Sequence, residues 1–125
     1  MFAQPDGNEC VTIVRVQEIE ILEFLDASGR SPFARWFDGL NAVAAARVTI
    51  ALARLGQGNF SNVAGVGSGV YEIKIDFYFG KDGERLVILL GGSAKQRQSA
   101  AIAAAQAAWG EYKRRRRLKE HDQWH

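Results

Sequence analysis

The stretch YEIKIDFYFGKDGERLVILLGG, residues 71–92, constrains the fold more than any other part of the 125-residue chain. Its LVILL segment, residues 86–90, is apolar at every position, which is typical of a central strand covered on both faces. Asp82-Gly83 just before it is a strong hairpin-turn signal. Residues 70–79 alternate and then continue through FYF without a break. They therefore predict one strand of ten residues, up to ~33 Å long.

The other segments complete an α+β pattern. Residues 11–25 are rich in β-branched side chains and partly alternate, which predicts a strand. Residues 31–40 open with a Ser-Pro helix start and predict a short amphipathic helix, and residues from about 41 to 55 predict a second that packs against it. The glycine-rich residues 56–69 lack the spacing of a phosphate loop and predict a surface connector. A last helix is expected from about 98 to 115, giving the order β-αα-β-β-α.

Length and composition predict a single domain over residues 1–125, with a loose arm at 1–10 and a frayed basic tail at 116–125. No run approaches ~18 apolar residues, so no membrane span is expected. The N-terminus lacks a basic segment followed by an apolar one, unlike a secretory signal. Cys10 is the single cysteine of the sequence, which fits a reducing cytoplasm.

Several kinds of chemistry are disfavoured by the residues present. Both histidines, His121 and His125, fall in the predicted tail, which argues against a zinc site or a histidine-dependent triad. Cys10 has no neighbouring base in the sequence. Glu18 and Glu20 are interpreted as the solvated face of a strand. No metal and no cofactor are predicted.

Basic residues are the remaining candidates. The net charge is only +2, but acidic residues gather early in the chain and basic residues late. Lys74 lies on the polar face of the predicted strand, Arg85 starts the next strand, and Lys95 and Arg97 follow its glycine pair. We expect these groups to converge on one concavity and hold a phosphodiester, although each alone is more often a solvated charge.

The arginine run at residues 114–117 has two interpretations of equal weight. Cations near a helix C-terminus are stabilised by the helix dipole. The same run could contact nucleic acid.

Five blocks of the sequence resemble a known family. FARWFDGL, ALARLGQGN, GSGVYEIKIDF, LVILLGGSAKQRQ and IAAAQAAWGEYKRR are similar, in this order, to successive blocks of the RelE/ParE superfamily of type II toxins. The closest group is the phage Gp49-like, HigB-type addiction module killer proteins, and the resemblance covers roughly residues 15–115. It implies a RelE-like small antiparallel sheet packed against a helical hairpin, plus a C-terminal helix.

The resemblance also implies a function. Such toxins arrest translation in the cytoplasm by cutting mRNA on the ribosome without a metal. The 2′-hydroxyl attacks the adjacent phosphate while basic side chains stabilise charge and move protons. A cognate antitoxin, usually a small helix-turn-helix protein, neutralises the toxin. The ParE branch instead poisons DNA gyrase.

Carried over by position, Lys74 occupies the basic place of the family's E-L-R-I strand and Lys95 the lysine of its G-G-x-K loop. The resemblance implies that these two are catalytic. Trp109 and Tyr112 match the W-x-x-Y of the last helix and are interpreted as packing residues. The residues expected to bind RNA are Arg54, Arg85, Arg97, Lys113 and Arg114.

One departure from the family pattern affects both the function and the predicted assembly. Relatives carry a short turn and an arginine between the segments that end here at Phe77 and begin at Tyr78. Their loss would attenuate cleavage, so the alternatives are a non-catalytic antitoxin- or RNA-binding homologue, a ParE-like gyrase poison, or a plain interaction domain. Without that turn, residues 70–79 could not fold back, which predicts a strand-exchanged homodimer.

Overall fold

The computed structural model describes residues 19–74, 77–93 and 98–123. The strands within them are β1 (Glu20–Glu23), β2 (Val63–Gly67), β3 (Val70–Ile73), β4 (Phe77–Lys81) and β5 (Leu86–Gly92). The helices are α1 (Pro32–Asp38), α2 (Ala42–Gly56) and α3 (Gln98–Gln123). Along the chain the order is β1-α1-α2-β2-β3-β4-β5-α3.

The strands form one mixed sheet in the order β1-β5-β4-β3-β2. β1 runs parallel to β5, and every other neighbouring pair is antiparallel. The predicted α+β class is confirmed, but the predicted order β-αα-β-β-α is wrong because two strands were not anticipated as separate elements.

The first of these is β2, which lies inside the glycine-rich connector. Residues 63–67 pair with β3 through a register shift between Gly65 and Gly67. Val63 and Val66 are its only side chains larger than a methyl group, and both are half-buried. Ser68 and Gly69 then turn the chain with positive φ angles of 57° and 81°. With so few large side chains, β2 has almost no hydrophobic alternation from which a strand could be predicted.

The second is β4, because residues 70–79 do not form one strand. β3 ends at Ile73, β4 begins at Phe77, and these two residues are antiparallel partners. The chain therefore reverses before Phe77, and Lys74 lies in the turn instead of mid-strand. Since the sheet is completed within one chain, the physical reason for a strand-exchanged homodimer disappears.

The central position predicted for LVILL is confirmed. β5 lies between β1 and β4, and residues 87–90 are all buried. On the face covered by α1 and α2, Val87 and Leu89 belong to a core cluster with Phe33, Val48, Leu55, Ile73, Phe77 and Phe79. On the face covered by α3, Ile88 and Leu90 belong to a second cluster with Phe24, Val70, Tyr78, Ala105 and Trp109. The sheet is thus covered by helices on both faces.

Both predicted helix starts are confirmed by side-chain caps. The Ser31 hydroxyl accepts a hydrogen bond from the Ala34 amide at 3.0 Å, and Pro32 follows it as the first helical residue. The Asn41 side chain accepts one from the Ala44 amide at 2.9 Å. Each cap satisfies an amide that the first helical turn leaves unpaired.

α3 is longer than predicted, since it continues past residue 115 to Gln123. Residues 116–123 are therefore helical and do not form a frayed tail. Across the described ranges, no helix is both long enough and apolar enough to cross a membrane.

Candidate functional site

Two of the predicted site residues lie at one end of the sheet, called here the Lys74 end. Lys74 follows β3 and is exposed, and Arg54 is exposed in the last turn of α2. Arg54 and Ile73 line the same small cavity of about 40 Å³. α3 begins nearby, because the Gln98 side chain donates to Glu72 on β3 at 3.0 Å. Lys95 and Arg97 lie outside the described residues.

Three other predicted residues lie at the opposite end. Arg85 precedes β5, whereas the Lys74 end coincides with the last residues of that strand, about 20 Å away at ~3.3 Å per residue. Lys113 and Arg114 lie about 22 Å along α3 from Gln98 at 1.5 Å per residue. The prediction that Lys74 and Arg85 converge on one concavity is therefore wrong.

A groove at this second end collects positive charge. It has a volume of about 310 Å³ and lies between the β4–β5 hairpin and the C-terminal half of α3. We call it the cationic groove and define it by Lys81, Lys113, Arg116 and Arg117. Asp82 is the one acidic residue in its lining.

The Asp82-Gly83 turn fixes the hairpin against α3. The Asp82 amide donates to the Leu86 carbonyl at 2.8 Å, and Gly83 has a φ of 77°. The Asp82 carboxylate accepts a hydrogen bond from the Tyr112 hydroxyl at 2.5 Å and forms an ion pair with Arg116. Burial raises the pKa of Tyr112 further above neutral pH, and its protonated hydroxyl is the donor. Asp82 is therefore already engaged, and among the described side chains its ion-pair partner is Arg116.

The other three cations of the groove keep their charge available. The Lys81 ammonium lies 4.5 Å from the centre of the Phe60 ring, and that of Lys113 lies 5.8 Å from the centre of the Trp109 ring. These contacts orient the lysines without neutralising them. Among the described side chains, no carboxylate forms an ion pair with Lys81, Lys113 or Arg117. Three exposed cations around one concavity suit an anion with several negative charges, such as a phosphodiester chain.

Trp109 and Tyr112 are packing residues, as predicted. Trp109 is only 6% exposed and lies against β4, and Tyr112 stacks on it with ring centres 5.2 Å apart. One face of each ring is therefore used in this stack, and the groove's main feature for binding RNA is its charge.

The arginine run has a structural explanation that neither interpretation supplied. Arg114 and Arg115 both pair with Glu111 at 2.7 Å, and Arg115 also donates to the Leu25 carbonyl at 2.7 Å. The dipole interpretation weakens, because the dipole acts within the last turn and the run ends six residues before Gln123. Within the run, Arg117 has the charge least engaged by the described residues.

The ion pairs of Glu111 predict a pH dependence of stability. Hydrogen bonds from Arg114 and then Arg115 lower the pKa of Glu111 from 4.5 to about 2. A pKa lowered by folding means stability that is fully present above pH 4.5 and is lost as the pH falls through about 2. We expect Glu111→Gln to destabilise the protein at pH 7 and to have a much smaller effect near pH 2. Urea unfolding at both pH values measures this, and an equal effect at the two would contradict it.

A second groove lies on the other side of α3, beside β1. It has a volume of about 550 Å³, and its apolar lining includes Leu22, Leu25 and Ile88. Its charged lining is nearly balanced, consisting of Glu23, Asp82, Arg115, Arg116 and Lys119. This balance makes it a poorer phosphate site than the cationic groove.

Sequence reasoning missed Lys81 as a groove residue and considered Arg117 only as a member of the arginine run. The Asp82-Gly83 signal placed Lys81 at a hairpin, but nothing in the sequence showed that α3 would cross that hairpin. Arg117 was assigned to a frayed tail. A helical reading continued past residue 115 would have put Lys113 and Arg117 on one face, since they are four residues apart.

The described residues contain no group of three or more histidine, cysteine, aspartate or glutamate side chains that could hold a metal ion. No family model matches the chain, and no curated protein matches it either. The toxin family suggested by the five sequence blocks is therefore a prediction, to be tested on the activity of the protein.

Proposed function

We propose that the protein binds RNA as the toxin component of a type II toxin-antitoxin module, with the cationic groove as its phosphate-contacting surface. The observation that carries the RNA-binding part is the set of three cations, Lys81, Lys113 and Arg117, that no described carboxylate neutralises. The five sequence blocks and the helical pair packed on an α+β sheet support the toxin part.

In this proposal, cleavage occurs at the Lys74 end. The 2′-hydroxyl attacks the adjacent phosphate and the 5′-oxygen of the next nucleotide leaves, so a 2′,3′-cyclic phosphate forms; basic side chains take the proton of the 2′-hydroxyl and return one to the leaving oxygen. Lys74 and Lys95 stabilise the charge on the phosphate, and a helix-turn-helix antitoxin neutralises the activity. The arginine that the resemblance expects after Phe77 is absent. One such contact at a transition state is worth about 2–4 kcal/mol, so the activity is attenuated.

The separation of about 22 Å between the Lys74 end and the cationic groove also favours a second candidate, a homologue that binds RNA without cutting it. A stacked strand of six or seven nucleotides, at ~3.4 Å each, would be needed to reach both. Because the cationic groove does not include Lys74, binding could persist where cleavage is lost.

RNA binding is tested by replacing the two groove cations on α3 with glutamine. We expect Lys113→Gln/Arg117→Gln to raise the Kd for a labelled 20-nucleotide RNA about thirtyfold at low salt, at about 1 kcal/mol per exposed charge contact. The dependence of log K on log salt should also become shallower by about 1.4, since each single-strand phosphate contact contributes ~0.7. Fluorescence anisotropy at several salt concentrations measures both.

The matched control is Arg30→Gln/Arg35→Gln, which removes the same charge from two exposed arginines near α1. It should change the Kd less than threefold and leave the salt slope unchanged. Equal effects of the two double variants would mean that RNA responds only to net charge, and the cationic groove would lose its assigned role.

A further inference from the structure

The outward face of α2 has the pattern of a helix-docking surface. Its exposed positions fall on a heptad repeat, in which residues four and three apart alternate along one seam. Val43 and Ile50 are seven residues apart and are 65% and 52% exposed. Ala46 and Ala53 lie beside them, also exposed and also seven apart. In heptad terms the β-branched residues occupy a positions and the alanines occupy d positions.

The charges along this seam have one sign. Arg47 and Arg54 follow the two alanines directly, at the e positions that flank the seam, and both are exposed. α2 contains no acidic residue, and no described carboxylate forms an ion pair with either arginine. The face is therefore an apolar seam with an unneutralised cationic border.

A second copy of this chain fits the face poorly. Side by side in parallel, two α2 helices would place each arginine against the g positions of the other, which are Ala42 and Thr49. In the antiparallel arrangement the e positions face each other, so arginine would oppose arginine. Self-association thus leaves the arginines unpaired or in repulsion, whereas a helix with glutamate on its flanks would satisfy both.

We propose that this face of α2 docks an acidic amphipathic α-helix of another protein. Aliphatic side chains of that helix pack between Val43 and Ile50, and the small Ala46 and Ala53 allow its backbone to approach closely. Its flanking carboxylates pair with Arg47 and Arg54. The surface does not include the cationic groove, so this inference does not rest on the RNA binding proposed there; it shares Arg54 with the Lys74 end.

A synthetic peptide tests the surface directly. The probe is a fluorescein-labelled peptide of three heptads with isoleucine at a, leucine at d and glutamate at e and g. Its twin carries lysine at e and g. With the full chain at 150 mM salt, we expect the glutamate probe to bind at least tenfold more tightly than the lysine twin, measured by anisotropy.

Variants of exposed α2 residues then assign the site. Arg47→Glu/Arg54→Glu should reverse the preference between the two probes, and Ile50→Asp should weaken binding of the glutamate probe at least tenfold. Circular dichroism of each variant checks that the fold is retained.

Three outcomes would overturn the proposal. Equal binding of both probes would show that charge does not select the partner. Loss of glutamate-probe binding in Lys113→Glu/Arg117→Glu, with Arg47→Glu/Arg54→Glu unaffected, would move the site to the cationic groove. A dimer of the chain alone that Ile50→Asp dissociates in sedimentation would show that the face pairs with itself.

Discussion

Replacing Gly80 with valine is expected to lower the free energy of unfolding by about 3 kcal/mol, the upper end for overpacking a well-filled core. Gly80 lies on β4 and faces α3, where the six-membered ring of Trp109 occupies the space that a Cβ would need. That ring is nearly fully buried and stacks on Tyr112, so it has little room to move. Urea unfolding followed by circular dichroism measures the loss.

The control for this substitution is Gly65→Val in β2. Gly65 is also a strand glycine, but nothing lies within 4 Å of the Cβ it would carry. Valine suits an exposed strand position, so the change should stay within about 0.5 kcal/mol. With leucine in place of Trp109, Gly80→Ala should lower the free energy of unfolding less than it does with tryptophan present, because the smaller side chain does not fill the space of the ring. Similar costs at Gly80 and Gly65 would show that the ring contact is not the cause.

The elements predicted correctly from the sequence are those whose signal is local. The Ser31 cap and the helix start near Asn41 depend only on neighbouring residues, and the Asp82-Gly83 turn depends on two. LVILL reads as a central strand because burial on both faces removes any polar alternation. In each case the determinant lies within the segment itself.

The same burial on both faces concealed the start of β4. Phe77, Tyr78 and Phe79 are all fully buried, pointing alternately to the two helical layers. Their run therefore looked like the end of a strand instead of the beginning of the next. Residues 70–76 contain no glycine, proline or asparagine, and Asp76 is their single turn-favouring residue, so the sequence marks the reversal only weakly.

That error also produced the wrong prediction for the site. β3 and β5 are both antiparallel to β4 and so run in the same direction. Lys74, after the end of β3, and Arg85, before the start of β5, must then lie at opposite ends of the sheet. With one long strand in place of β3 and β4, this difference in polarity could not be seen.

Under the proposed chemistry, cleavage of mRNA is expected to fall at least a hundredfold in Lys74→Ala/Lys95→Ala. Each lysine would contribute a charge-assisted contact to the transition state, and losing one such contact costs about 2–4 kcal/mol. Lys74 is exposed in the turn after β3, so its replacement should leave the fold intact. Inducible expression in bacteria, with growth and mRNA integrity followed together, measures the effect.

Arg30→Ala/Arg35→Ala is the matched control, since it removes the same charge from exposed side chains outside every proposed site. Growth arrest with mRNA cleavage that persists in this control and vanishes in Lys74→Ala/Lys95→Ala supports the nuclease. Growth arrest with DNA damage and intact mRNA would contradict the nuclease and support gyrase poisoning. RNA binding without growth arrest would support the homologue that binds RNA without cutting it, because the cationic groove does not include Lys74 and could bind RNA alone. Cleavage unchanged in both variants would remove the two lysines from the mechanism.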